Sequence, residues 1–310
     1  MGRGEAQERG QRGAAVLVFG EVLFDRFPDG TSVLGGAPLN VAAHLRGLGA
    51  RPVLVSRVGD DADGRAILAE LGKRGLETAG VQFDASLPTG AVDVELVGGE
   101  PQYEILPQRS YDAIDAAAAL TCARAARPAM LYHGSLAARE RPSREALQAL
   151  RRGLSAPVFV DVNLRPPWTP PEDVHALLVG ARWIKLSGEE LRTLAGDGEL
   201  ASRARALVER TGARWVLVTL GAEGAVLFGS RGERFQAPAS APEPGRLADT
   251  IGAGDAFSAV AVLGLLQGWD PETWLGRATR FATAVCGLRG ALPDDPAFYA
   301  GVPWAREVTR

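Results

Sequence analysis

The sequence predicts an α/β fold: a doubly wound, mostly parallel sheet that carries a small β-sheet lid. Three observations predict it. Continuous apolar runs such as Ala14 to Gly20 and Val158 to Val162 read as strands buried on both faces. Stretches with helical spacing separate these runs. One segment, Ala91 to Val97, instead alternates apolar and polar residues, the pattern of a strand with one uncovered face.

The elements follow in order. Met1 to Gly13 is Gly, Arg, Glu and Gln with little to bury, so a disordered leader is expected there; it has no apolar stretch of the kind a secretory signal needs. A single domain is expected from residue 14 to 310, with lid strands inserted at about 22–34 and 88–110. After the first strand, Phe27-Pro-Asp-Gly30 reads as a turn. Val41, Leu45 and Leu48 fall at helical spacing, and Gly49 is placed to end that helix. Pro52 to Val58 reads as the second strand, followed by a helix through Ile67, Leu68 and Leu71. Further strands are expected at Met130 to Tyr132, Val158 to Val162 and Trp215 to Leu220. Helices are expected at Arg141 to Gly153, Pro171 to Gly180 and Leu200 to Thr211. Ala239 to Gly245 reads as a proline-rich loop, and two helices, about Ala253 to Gln267 and Pro271 to Gly287, close the chain. The alternating strand, with Gln102 to Leu106 and Val22 to Phe27, makes a separate small sheet whose free face would be covered by closing over a cleft.

Composition narrows the function. The net charge is −3 with no basic stripe, which argues against nucleic acid as a partner. No apolar run reaches the roughly 18 residues of a membrane helix, so no membrane partner is expected. The two cysteines, Cys122 and Cys286, share no metal-ligand spacing, and a reduced, cytoplasmic setting suits them. Three histidines, His44, His133 and His175, are too few and too scattered for a histidine-rich metal centre. No Gly-x-x-x-x-Gly-Lys-Ser/Thr loop is present, and no glycine-rich dinucleotide fingerprint follows the first strand.

The chemistry concentrates at Asp249-Thr-Ile-Gly-Ala-Gly-Asp-Ala-Phe257. Glycines before an apolar helix let backbone approach an anion, and the first N–H groups of that helix have no internal partners. Asp255 would sit in the first turn. A carboxylate beside an anion site makes sense if it accepts a proton from a hydroxyl attacking a phosphoryl group. The amides of Gly252, Ala253 and Gly254 would then stabilise charge on the moving phosphoryl. Taken alone, the same segment fits a glycine turn with an acid that favours the helix dipole.

The wider pattern resembles the ribokinase-like (PfkB) carbohydrate kinase family. Asp249 to Phe257 resembles its C-terminal motif; Gly35-Gly-Ala-Pro-Leu-Asn40, with Gly59-Asp-Asp-Ala-Asp-Gly64, resembles its N-terminal one. The resemblance runs from about Ala14 to Pro293. It implies a ribokinase-like fold, ATP and a sugar as small-molecule partners, Mg2+, and potassium as a monovalent cation. It also implies Asp255 as the catalytic base, and a homodimer formed through the lid. On the sugar side it points to Asp25, Gly35, Gly36 and Asn40, with Tyr103 on the lid. Asn40 also reads as the N-cap of the helix through Leu48. On the phosphate side it points to Asn163 and Arg165, in Asp161-Val-Asn-Leu-Arg165, and to Glu190, which would hold magnesium through water. Ser187 stands where the family often has Asn. Thr219, Gly221 and Gly224 resemble its nucleotide turn. Asp249 and Ile251, with Val285, Leu288 and Gly290, match backbone positions for the monovalent cation.

Gly20-Glu21 with Asp25, Gly36-Ala-Pro38 and His133-Gly-Ser-Leu136 resemble the fructokinase-type branch. The expected reaction is phosphorylation of a primary hydroxyl, of fructose first, with 2-keto-3-deoxygluconate and ribose as alternatives. Glu104 on the lid would repel the carboxylate of an acid sugar; Arg109 would favour one. A different class, a sugar- or nucleotide-binding protein without catalysis, would be signalled by loss of Asp255 or the glycines, and both are present.

Overall fold

Among the described residues thirteen strands organise the fold: β1 (Ala15–Phe19), β2 (Leu23–Arg26), β3 (Ser32–Gly35), β4 (Arg51–Gly59), β5 (Val81–Asp84), β6 (Gly90–Val97), β7 (Glu100–Ile105), β8 (Met130–His133), β9 (Val158–Asp161), β10 (Trp183–Ser187), β11 (Trp215–Thr219), β12 (Ala225–Gly229) and β13 (Arg234–Ala237). They belong to a computed structural model that describes residues 14–97, 100–240 and 249–304. The expected leader, and the proline-rich loop from residue 241 to 245, lie outside the described residues.

Nine strands form one sheet in the order β13-β12-β11-β10-β9-β8-β1-β4-β5. The seven strands from β11 to β5 in that order run parallel, and β12 and β13 close the far edge antiparallel. The continuous apolar runs are explained by two cores. Leu17 and Phe19 of β1 enter one, while Val16 and Val18 enter the other. Successive side chains on a strand point to opposite faces, so a sheet covered twice needs apolar residues at every position. The Ala253–Gln267 helix is buried from Ala256 to Gly264 on all sides and packs in the second core.

Some elements are not those expected. β10 is interrupted by Lys185, which breaks its apolar run, and β5 is short. The Ala116–Ala126 helix is so rich in alanine that it shows little periodicity. The Gly188–Ala195 helix also stands where no helix was expected.

The small sheet has the order β3-β2-β6-β7. Its register pairs Asp25 with both Val33 and Val92, Val92 with Ile105, and Val94 with Tyr103. Directly paired residues share a face. Asp25 and Tyr103 are therefore on one face, and Glu104, paired with Asp93, is on the other. Val33 and Tyr103 on that first face are 46% and 49% exposed. Two side chains fasten this sheet to the large one. Asp61 caps the Ala62–Lys73 helix and also accepts from the N–H and hydroxyl of Thr89, at 2.9 and 2.6 Å, just before β6. Arg139, just after β8, donates to Leu106 O and to both oxygens of Asp112, each at 2.8 Å. Its guanidinium lies between the Tyr111 and Trp168 rings, 5.1 and 4.5 Å from their centroids.

The Arg139–Asp112 side chains are 2% and 4% exposed. Removing one member of such a pair strands the other charge. Arg139→Met is expected to lower stability by about 3–5 kcal/mol in urea unfolding, and an unchanged midpoint would contradict the anchoring role.

Candidate active site

The parallel strands β8, β9, β10 and β11 end at one rim, where an α/β sheet places ligands. The Ala253–Gln267 helix begins at the same rim. Its N-cap is Gly252, with φ 77°, and a Cβ there would lie 2.4 Å from that of Ala291. Both the left-handed backbone and the lack of space require glycine. Gly254 is exposed and lines a cleft at this rim, whereas Ala253 N donates to Thr250 O at 3.3 Å across the turn.

Asp255 lies half-buried in that first turn, and Asn40 Nδ2 donates to its Oδ2 at 2.8 Å. Asn40 is not the N-cap of its helix. The Ala37–Gly47 helix is entered through Gly36, with φ 110°, and Asn40 sits inside it, its side chain turned to Asp255. The N-cap expectation fails because Pro38 already occupies the first turn and the strained entry falls on a glycine. A Cβ on Gly36 would lie 2.6 Å from Glu21 O, so the chain passes closely there.

Three carboxyls gather on this side. Burial raises Asp255 to about 6, against the Asn40 hydrogen bond, with nearby Asp161 raising it and Lys185 and Arg165 lowering it. Burial raises Asp25 to about 6, with Arg165 opposing. Burial raises Glu21 to about 7, and its Oε2 has no hydrogen-bond partner among the described residues. Asp25 packs on the end of β3: a Cβ on Gly35 would be 2.8 Å from its Oδ2. Burial raises the Tyr103 hydroxyl, with Asp25 and Asp249 adding to the shift and Arg165 opposing it.

On the other side of Asp255 lies a cleft of about 470 Å³. Asn163, Arg165, Ser187, Glu190, Thr219 and Gly254 line it, with Asp161 and Lys185. Asn163 has φ 46°, and the exposed Arg165 makes no ion pair among the described residues. Ser187 caps the Gly188–Ala195 helix in a reciprocal box with Glu190. The Glu190 carboxylate accepts from the N–H groups of Ser187 and Leu164, at 2.7 and 2.6 Å, which ties β10 to the segment after β9. Gly221 and Gly224 lie in the turn between β11 and β12, outside the cleft lining. Asp249 N donates to Cys286 O at 3.1 Å, which brings Asp249 and Ile251 beside the 285–290 segment. Among the described residues no cluster of His, Cys, Asp and Glu side chains could hold a metal directly.

The description "pfkB family carbohydrate kinase" matches residues 16–297. The chain belongs to the PfkB family. Fructokinase-1 of Oryza sativa subsp. japonica is 30% identical over 92% of this chain and 95% of its own. A fructokinase of Klebsiella pneumoniae is 33% identical over 88% and 91%. A sugar kinase of Pyrococcus horikoshii in complex with ATP superposes with a TM-score of 0.79 at 26% identity, over 94% of this chain and 99% of that one. A fructokinase double mutant of Vibrio cholerae O395, bound to fructose, ADP and potassium ion, gives 0.76 at 25%, over 94% and 99%. This PfkB protein is a sugar phosphotransferase with a ribokinase-like fold. No helix among its described residues is long and apolar enough to cross a membrane.

Sequence reasoning overlooked Asp161 and the three residues that donate to it beneath the cleft, Lys185, Tyr132 and Ser258. A lysine inside an apolar strand was the available signal.

Asp255 binds its proton more tightly folded (about 6) than in its ordinary state (3.8). Its burial therefore costs nothing well below pH 3.8, destabilises progressively between about 3.8 and 6, and keeps its full cost above 6. Asp255→Asn is expected to resist urea better than wild type at pH 8, by at most about 3 kcal/mol, with the gain vanishing near pH 4. A variant less stable than wild type at pH 8 would contradict this electrostatic account.

Proposed function

We propose that this sugar kinase transfers the γ-phosphoryl group of ATP to the primary hydroxyl of fructose, giving fructose 6-phosphate and ADP. The observation that carries the reading is Asp255: a carboxyl in the first turn of a helix, oriented by Asn40, with its proton affinity placed at about 6. Such a group is ionised at neutral pH and basic enough to take a proton.

In this reading Asp255 accepts the hydroxyl proton as the sugar oxygen bonds to the γ-phosphorus. The bond from that phosphorus to the bridging oxygen breaks, and ADP leaves with the electron pair. The amides of Gly252, Ala253 and Gly254 meet the charge on the transferring group. Arg165, exposed at the cleft, offers a fork of donors to phosphate. Asp25 accepts sugar hydroxyls, Gly35 and Gly36 allow close approach, and Tyr103 covers the sugar from the small sheet, which acts as the lid. Asn163, Ser187 and Thr219 border the nucleotide phosphates, with Gly221 and Gly224 at the turn beyond them.

The donors present suit magnesium held through water: both Glu190 oxygens are committed to one backbone N–H each, and each keeps a lone pair. Magnesium when bound would neutralise phosphate charge. The backbone at Asp249, Ile251, Val285, Leu288 and Gly290 would serve potassium, an ion found with the Vibrio cholerae relative.

Fructose is favoured by the fructokinase relatives at 30–33% identity and by Asp25 on the sugar side of Asp255, whose carboxylate disfavours an anionic sugar. Glu104 no longer contributes to that argument, because its register puts it on the face away from Asp25. With Mg-ATP and potassium, kcat/KM for fructose is expected to exceed that for ribose and for 2-keto-3-deoxygluconate by at least about tenfold. Preference for either alternative would overturn the choice of sugar, and turnover of none of the three would overturn the kinase reading.

A further inference from the structure

We propose that Lys185 is a positioning residue of the transfer site: bonded to Asp161, it holds the Gly254 turn in place and supplies a buried positive charge beside Asp255. The inference rests on the reading of Asp255 as the base. Lys185 is 7% exposed, in the middle of a strand otherwise made of Trp, Ile, Leu and Ser. Its Nζ donates to both oxygens of Asp161 at 3.0 Å and to Gly254 O at 3.3 Å, which uses all three ammonium protons. The last of the three glycine-turn residues is thus tied to β10 from below. A Cβ on Gly254 would lie 3.2 Å from Nζ, so the amine sits directly against that residue.

Asp161 is itself held from three sides. Besides Lys185, it accepts from Tyr132 Oη at 3.1 Å and from Ser258 Oγ at 2.6 Å. Ser258 lies one turn beyond Gly254, and its Oγ is also 3.0 Å from Gly254 O, so its single proton lies between that carbonyl and the nearer Asp161 carboxylate. The lysine is therefore fixed by its counter-ion and is not free to swing towards a phosphate. Its effect on transfer is exerted through Gly254 and Asp255.

Asp255 is faced by charged or polar groups from every neighbouring element: Asn40 from its helix, Glu21 after β1, Tyr132 from β8, Asp161 and Arg165 from β9 and the segment after it, and Lys185 from β10. Burial and Asp161 favour the protonated form, whereas Asn40, Lys185 and Arg165 favour the carboxylate. Removing Lys185 leaves Asp161 uncompensated and should raise the pH at which Asp255 becomes active. Removing the Asp161 charge should lower it.

The test is the pH dependence of kcat/KM for sugar phosphorylation. The acidic limb of Lys185→Met is expected to move up by about one unit, that of Asp161→Asn to move down, and that of Lys185→Arg to stay near wild type. Should Lys185→Met fail to fold, the double variant Asp161→Asn/Lys185→Met removes both charges, and its limb is expected at or below that of wild type. A Lys185→Met limb that coincides with wild type, or a double variant shifted upward, overturns the inference while leaving the base assignment standing. A wild-type enzyme with no acidic limb overturns both.

Discussion

The site is organised by one buried carboxylate. Asp161, at the end of a central strand, accepts hydrogen bonds from Tyr132 on one neighbouring strand, from Lys185 on the other, and from Ser258 on the helix that begins at the glycine turn. A buried ion is tolerated only when its lone pairs are satisfied and its charge is matched. Asp161 meets both conditions only while β8, β10 and the Ala253–Gln267 helix stand in their present places. The same bonds that satisfy it therefore set the position of the helix N-terminus against the sheet.

From this follows the electrostatic character of the cleft. Glu21, Asp25 and Asp255 are all held above the usual carboxylate range by burial, and Arg165 opposes the shift in each. Such a site is less stable than an apolar one of the same volume, which is a common cost of catalytic geometry. The small sheet, fastened by Asp61 and Arg139, holds the exposed Tyr103 on the face shared with Asp25. That face, with Val33 and Tyr103 exposed beside Asp25, is the one that the proposed closure over the sugar would cover.

The alternation of buried strands and helices was legible because each β1-type run feeds two cores and must be apolar throughout. The half-exposed strand β6 was legible for the opposite reason. Asp255 and the glycines stood out because their backbone demands are local. What the sequence hid was long-range pairing. Asn40 resembles a cap until the structure shows a partner 215 residues away. Glu104 resembles a cleft residue until its register is known. Lys185 interrupts an apolar strand, and only the nearness of Asp161 makes that burial affordable. The antiparallel β12 and β13 were hidden too, since a short apolar run looks alike in either direction.

The central claim is that Asp255 deprotonates a sugar hydroxyl that then receives the γ-phosphoryl group. The most direct measurement is 31P NMR of ATP incubated with fructose and either wild-type protein or Asp255→Asn, with nucleotide binding checked by calorimetry. The account predicts one sugar phosphomonoester per ADP from wild type, and a rate at least about a hundredfold lower from Asp255→Asn with ATP binding retained. Formation of sugar phosphate by Asp255→Asn at the wild-type rate would contradict it.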